Sequence, residues 1–150
     1  MVNIVVLIEG FQHGGGPFYV RRATFYCKDT DVETNALFKV PPPTNRQEAM
    51  TFHFQARLHG LDWIVNDDEQ HEQDEIHEIW TEFLQKVKGR CPDKPIYVFC
   101  KGREIARWLE EKLNCAISNI EDYGNIGNVK TMAYREKLFY IVGITEGLTR

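Results

Sequence analysis

A carboxylate stands at the end of an apolar run near the start of the chain. The stretch "NIVVLIEGFQ" (residues 3–12) has apolar residues from Ile4 to Ile8, and Glu9 and Gly10 follow them. A buried strand of this kind can deliver an acid to its end, where the side chain can bind a metal ion or a substrate. Glu9 is therefore the first candidate for catalysis. The alternative to a catalytic role is that Glu9 is a solvated or salt-bridged residue at the end of a strand.

Asp122 is the other acid that the sequence places at the end of a strand-like stretch, "CAISNIED" (residues 115–122). One hypothesis is an active nuclease with a rearranged site. Glu9 and Asp122, with His59 or an acid from "NDDE" (residues 66–69), would then hold one magnesium or manganese ion, since both ions prefer oxygen ligands. If the protein has no nuclease activity, we expect it to have no cofactor.

The acidic stretch "HEQDEIHEIW" (residues 71–80) could also bind a metal, because His71, Glu75 and Glu78 follow one another at helical steps. It lacks the H-x-x-x-H and H-E-x-x-H spacings that make such a site specific. An acidic, solvated start of a helix is the favoured interpretation. We therefore predict no metal ligands here.

Basic and aromatic side chains form a third group of candidates, for nucleic-acid binding. Guanidinium groups and helix N-terminal amides both suit phosphate, and a tryptophan can stack on a base. Ordinary surface charge is the alternative for each basic residue. The candidates, from "RLHGLDW" and "CKGREIAR", are Arg57, His59, Trp63, Lys101, Arg103 and Arg107; Arg21 and Arg22 add a basic pair in a predicted strand.

The elements that would position these residues begin with a predicted meander. Strands are expected at 2–8, 18–27 and 35–40, and the glycine-rich "HGGGP" between the first two can only be a turn. Because short turns join all three, an antiparallel arrangement is expected. After Pro41, Pro42 and Pro43, residues 44–63 could form a short helix or a mixed segment.

Helices and strands then alternate. Apolar residues at helical spacing predict a helix from Asp67 to about Gly89, another over 103–114 and a last one over about 130–142. Strands are expected at 94–100 and 115–122. This order, a meander followed by alternating helices and strands, is that of the ribonuclease H-like (RNase H-like) fold, an α/β fold in which helices cover the faces of a mixed sheet.

Composition limits the classes of protein. With 150 residues, of which 43% are hydrophobic, the chain is expected to form a single domain, 1–150. The net charge of −4 provides no global basic field for nucleic acid. The four cysteines are far apart, and no run has the length of a membrane span. We therefore expect an intracellular protein, cytoplasmic or nuclear, with reduced thiols and no membrane partner.

Three stretches together resemble a group of divergent DEDD-type exonuclease-like proteins of arthropod viruses and mobile elements. They are "VVLIEGFQ", "RLHGLDW" (residues 57–63) and "IYVFCKGREIARWLEEKL" (residues 96–113). The group typically reads hydrophobic-D-x-E-G-F-Q, then H-G-x-x-W, then V-K-G-x-x-K-x-x-W-L. The individual motifs are short, and their order and spacing over roughly two-thirds of the chain carry the resemblance.

The resemblance implies a degenerate active site. Glu9 matches the second acid of the first motif, whereas Leu7 stands where the first aspartate belongs and Ile105 falls about where the middle aspartate would sit. "YREKLFYIVGI" (residues 134–144) offers no aspartate for a third motif. Two-metal hydrolysis needs several carboxylates, so it is expected to be lost.

The leading hypothesis is therefore a catalytically degenerate exonuclease-like domain that works as a regulatory binding module. Its partner would be RNA, or a host or viral RNA-associated protein. The resemblance implies a viral or mobile-element origin, and opposition to host RNA silencing is one hypothesis for its use. The alternatives are the rearranged nuclease described above and a purely protein-binding domain.

Overall fold

The protein is built on a five-stranded mixed sheet, described by a computed structural model over residues 1–63, 70–124 and 132–148. The strands are β1 (Val2–Phe11), β2 (Tyr19–Cys27), β3 (Val32–Leu37), β4 (Ile96–Cys100) and β5 (Ser118–Asn119). The central strand, β1, pairs antiparallel with β2 and parallel with β4. The strand order β3-β2-β1-β4-β5 confirms the α/β class and the antiparallel meander.

Helices cover both faces and one end of this sheet. The helices are α1 (Arg46–His59), α2 (Ile76–Arg90), α3 (Arg103–Leu113) and α4 (Tyr134–Leu148). Alternate side chains of β1, including Ile4 and Val6, pack with α2 and α3 on one face. Val5 and Leu7 point to the other face and pack with α4.

Helix α1 resolves the segment that the sequence left open. The Asn45 side chain accepts a hydrogen bond from the Glu48 amide at its start, and Gly60 ends it in a left-handed conformation. Phe52 is buried against Phe11, with the ring centroids 5.2 Å apart. Capping and this aromatic contact therefore outweigh the extended preference of residues 51–54.

The third strand begins and ends earlier than predicted. It covers Val32–Leu37, and Phe38 then forms an isolated parallel bridge with His71. The chain from Gln70 to Glu72 is therefore not helical, and the expected start of a helix at Asp67 falls in 64–69, outside the described residues. A 3-10 turn (Gln73–Glu75) leads into α2, which confirms the predicted helix from Ile76 onward.

The last strand is also shorter than predicted. Only Ser118 and Asn119 pair with β4, and a 3-10 turn (Ile120–Tyr123) follows. The Asn119 side-chain oxygen accepts from the amides of Glu121 and Gly102, which ends the strand and joins it to the start of α3. The predicted start of the last helix near Lys130 lies outside the described residues, and the helix itself begins at Tyr134.

Among the described helices, none is both long and apolar enough to span a membrane.

Candidate functional site

Glu9 is buried, and both of its carboxylate oxygens bind cations. Arg22 Nη2 donates to Oε2 at 2.9 Å, and Lys137 Nζ donates to Oε1 at 3.1 Å. The exposed fractions of the three side chains are 8% for Glu9, 23% for Arg22 and 15% for Lys137. The carboxylate is therefore largely shielded from solvent, and each of its two oxygens has a cationic partner.

Local structure explains both partners. Arg22 lies directly opposite Glu9 in the antiparallel register of β1 and β2. Lys137 lies in the first turn of α4, the helix that packs on the face of β1 to which Leu7 and Glu9 point. The sheet thus provides one cation and the helix that covers it provides the other.

Tyr134 also contacts the Arg22 guanidinium group. The Arg22 guanidinium carbon lies 3.4 Å from the centre of the Tyr134 ring, a close cation–π contact. The Tyr134 hydroxyl donates to the Leu7 carbonyl at 3.2 Å and lies 2.7 Å from Thr24 Oγ1. Burial raises the pKa of Tyr134 to about 12, so the hydroxyl stays protonated.

His59 joins α1 to the end of β1. Its Nε2 lies 3.1 Å from the Gly10 carbonyl, and the Leu61 amide donates to Nδ1 at 3.3 Å. A carbonyl needs a donor and an amide needs an acceptor, so both bonds require the neutral ring with its proton on Nε2. Burial lowers the pKa of His59, which favours the same form. The His59 ring therefore adds no positive charge beside Glu9 at neutral pH.

The charge of this cluster is unfavourable for a divalent metal. One carboxylate and two cations sum to +1, and a dication about 4 Å from a single cation is repelled by roughly 8 kcal/mol at an effective dielectric of about 20. Within residues 1–63, 70–124 and 132–148, no three His, Cys, Asp or Glu side chains come together as metal ligands. Residues 66–69, whose acids were candidates, lie outside these ranges.

The two residues at the positions that the resemblance assigned to aspartates are apolar, and both pack against other apolar residues. Leu7 is buried against α4, where it packs with Leu138 and Ile141. Ile105 lies in the first half of α3 and packs partly against the main core. It also lines a cavity that Glu9 does not enter.

That cavity, the α1–α3 groove, lies between the glycine turn after β1, the end of α1 and the start of α3. Its volume is about 580 Å³. Gly14 and Gly15 form one wall, and Leu58 and His59 of α1 form a second. The third wall, from α3, consists of Glu104, Ile105 and Trp108.

Trp108 and Trp80 differ in burial. Trp80 is 2% exposed and packs in the core against Phe25, as its helical phase predicts. Trp108 has the same phase but is only partly buried, with its ring 5.0 Å from that of Phe18 at the edge of the groove. The side chain therefore belongs both to the core margin and to an accessible surface.

The candidates from "RLHGLDW" do not share one surface. Arg57 is exposed on α1, whereas His59 is half-buried in the hydrogen bonds described above. Trp63 is partly buried and packs edge-on against Phe11 and Phe52, each 6.2 Å away by ring centroid. Trp63 therefore contributes to the packing of α1 against the end of β1.

The candidates at the start of α3 lie near acids. Arg103 and Arg107 are exposed and line a cavity of about 350 Å³ together with Glu110 and Asp122. Lys101 is half-buried. Asp122 is thus exposed in the turn after β5 and lines a different cavity from the α1–α3 groove.

Sequence reasoning missed the partners of Glu9. Lys137 is 128 residues away in sequence, and no spacing rule connects residues so far apart. Arg22 was noted only as part of a basic pair with Arg21, which is itself buried and donates from Nε to the Asp62 carbonyl at 2.7 Å. A prediction of the β1–β2 register could have found Arg22, because the two residues are cross-strand neighbours.

Comparison with known proteins assigns no family to the chain. No protein-family model and no curated protein matches it. The geometry of the site must therefore support any functional proposal.

Proposed function

We propose that this protein is a non-catalytic, RNase H-like and exonuclease-like module that works by binding a partner. The observation that carries the proposal is the pairing of both Glu9 oxygens with Arg22 and Lys137. A carboxylate that serves metal-dependent hydrolysis must offer its oxygens to the ion. Here those oxygens already bind two protein cations in a buried cluster.

The arrangement of the strands supports the RNase H-like part of the proposal. A long antiparallel meander, with its first strand at the centre of the sheet and parallel to the two later strands, agrees with the order expected of that fold. Glu9 lies towards the end of the central strand, where the resemblance predicts an acid. The apolar Leu7 and Ile105 support loss of the other acids.

The surface favours a protein as the partner. Three large apolar residues of α1, Met50, Phe54 and Leu58, are 64%, 61% and 58% exposed. They follow one another at intervals of four residues and so form a stripe on one side of the helix. Apolar stripes of this kind fit a protein surface better than a phosphate backbone. We infer that the protein is a binding module for another protein, with a regulatory role.

A nuclease assay tests the loss of catalysis. Labelled single- and double-stranded RNA and DNA are incubated with the protein in magnesium or manganese, in parallel with Glu9→Gln. We expect no cleavage above the level of the variant. Metal-dependent cleavage that disappears in Glu9→Gln would contradict the proposal and support the rearranged nuclease.

RNA is a second candidate partner, supported by one specific observation. Arg103 and Arg107 are one helical turn apart on α3, and each lines the smaller cavity beside Tyr123, which is 60% exposed. Two guanidinium groups and an exposed ring can bind a phosphate and stack on a base. Glu110 and Asp122 in the same cavity weaken this candidate, because they offset the positive charge.

RNA binding is tested at low salt with a matched pair of variants. Arg103→Ala with Arg107→Ala removes two positive charges from the cavity, and Lys86→Ala with Lys88→Ala removes two exposed charges from α2. If this candidate is correct, single-stranded RNA affinity falls at least tenfold in the first variant only. An equal effect of both variants, or no binding by the unmodified protein, would exclude the cavity as an RNA site.

A further inference from the structure

The α1–α3 groove combines apolar walls with a single formal charge. Phe18, Leu58, Ile105 and Trp108 provide the apolar surface. Glu104 is the only Asp, Glu, Lys or Arg among the described residues that line it. The volume of about 580 Å³ is within the range of pockets that bind small ligands.

The polar groups of the groove leave this negative charge uncompensated. His59 is neutral in the hydrogen-bonded form described above, because its two nitrogens bind the Gly10 carbonyl and the Leu61 amide. Gln55 is occupied as well: its side chain accepts from the Gln12 amide at 3.0 Å and donates to the Gln12 carbonyl at 2.7 Å. Glu104, exposed in the first turn of α3, therefore sets the charge preference of the groove.

The exposed stripe of α1 continues into this groove. Leu58 belongs to both, since it lines the groove and is also the last of the three exposed residues that begin with Met50. The eight-residue step from Met50 to Leu58 corresponds to about 12 Å along a helix. A bound chain could therefore lie over the stripe and place one side chain in the groove.

The charge and shape together indicate what that side chain is. An arginine has an aliphatic stem that can pack on Leu58 and Ile105, and a planar head that can stack on Trp108 while it pairs with Glu104. A phosphate group would meet the Glu104 carboxylate instead of a cation. Arg103 and Arg107 do not line the groove; they line the separate cavity with Asp122.

We propose that the α1–α3 groove binds an arginine side chain of a partner protein, with Glu104 as its counter-charge and apolar residues of the same partner segment on Met50, Phe54 and Leu58. The inference depends on the proposed function, since it specifies the partner of the binding module. It names the chemistry of that partner: an arginine flanked by apolar residues.

Peptide selection provides the test. A phage-displayed library of random 16-residue peptides is selected on the unmodified protein, and an enriched peptide is synthesised with arginine and with its uncharged isostere, citrulline. Affinities are measured by fluorescence anisotropy for the unmodified protein, for Glu104→Gln and for Leu58→Ser. Glu111→Gln is the matched control, because Glu111 is an exposed glutamate on the same helix that does not line the groove.

We expect the enriched peptides to contain an arginine between apolar residues. Glu104→Gln and Leu58→Ser should each weaken binding at least tenfold, citrulline should do the same, and Glu111→Gln should change the affinity less than twofold. Selection without arginine, or equal affinities for the Glu104 and Glu111 variants, would overturn the inference. Such a failure leaves the nuclease result unchanged, whereas nuclease activity would overturn the proposed function whatever the peptides bind.

Discussion

Glu9 is a carboxylate whose role is set by its neighbours. At the end of a buried strand, an acid can bind a metal, pair with a cation or face solvent, and the sequence of β1 alone does not distinguish these roles. The positions of Arg22 and Lys137 distinguish these roles, because each cation pairs with one oxygen of the carboxylate. The residue therefore joins β1, β2 and α4 through charge.

Glu9→Gln should destabilise the protein. The amide cannot balance the partly buried Arg22 and Lys137, and loss of a charge-assisted pair of this kind costs about 1–3 kcal/mol. Chemical denaturation measures the change in the free energy of unfolding. Glu146→Gln is the control, because it removes the pair with Lys28, which is 61% exposed, and should cost less than about 1 kcal/mol. Equal losses would argue against a structural role for Glu9.

His59 should make stability depend on pH. Burial lowers its pKa in the folded protein below the ordinary value of about 6.5, so the unfolded chain binds the proton more readily. The resulting stabilisation is present above about pH 6.5 and is lost as the pH falls through the folded pKa. The free energy of unfolding should therefore fall less steeply on acidification in His59→Gln than in the unmodified protein.

The control for this effect is His77→Gln, which replaces an exposed histidine on α2. Its pH profile should follow that of the unmodified protein. Direct titration of the His59 ring by NMR should give a pKa below its ordinary value of about 6.5. Identical pH profiles for the His59 variant and the unmodified protein would show that the neutral ring does not contribute to stability.

At the scale of elements, the end of β1 depends on a close approach of two strands. The register between β1 and β2 shifts between Glu9 and Gly10. A Cβ atom on Gly10 would overlap the Tyr19 carbonyl and the Phe18 ring. The irregularity therefore requires glycine, and it directs Phe11 into the cluster that holds α1.

Gly10→Ala should therefore destabilise the protein by more than about 1 kcal/mol, because the added methyl meets backbone rather than a flexible side chain. Gly143→Ala is the matched control within α4. A Cβ there meets nothing within 4 Å, and alanine should stabilise the helix by about 0.5–1 kcal/mol. Thermal unfolding of both variants measures the difference, and a Gly10 variant as stable as the Gly143 variant would contradict this view of the strand end.

Elements with strong periodicity could be predicted from the sequence, and elements defined by long-range contacts could not. The spacing of Trp80, Phe83 and Val87 predicted α2, and each of these residues is buried. The start of that helix was placed too early because the helical pattern does not show the bridge between Phe38 and His71. Helix α1 was left open because its stabilising contact with Phe11 connects distant parts of the chain.

Part of the candidate site could likewise be predicted from the sequence, and the parts that depend on long-range contacts could not. Glu9 could be singled out from the apolar run before it, whereas Lys137 could not, because α4 brings it to β1 across almost the whole chain. The α1–α3 groove was equally inaccessible to pattern analysis. Its walls come from the glycine turn after β1, from α1 and from α3, and none of these segments contains a motif that indicates a cavity.

The distribution of charge and of exposed apolar side chains over the described residues bears on the kind of partner. The two cations closest to Glu9 are largely buried, so they cannot form a phosphate-binding surface. The exposed arginines of α3 lie beside acids, and the net charge is −4. Three large exposed apolar side chains, Met50, Phe54 and Leu58, lie along α1, next to a groove with one acid. For this reason we propose a protein rather than a nucleic acid as the partner.

We propose that Arg22 and Lys137, rather than a metal ion, neutralise Glu9. Manganese titration followed by backbone NMR tests it most directly, since a bound paramagnetic ion broadens the amide signals near it. We predict no selective broadening of the Leu7, Glu9 and Gly10 amides. Arg22→Gln combined with Lys137→Glu provides the positive control, because it removes both cations and adds a carboxylate, and it should show broadening. Selective broadening in the unmodified protein that Glu9→Gln abolishes would contradict the account.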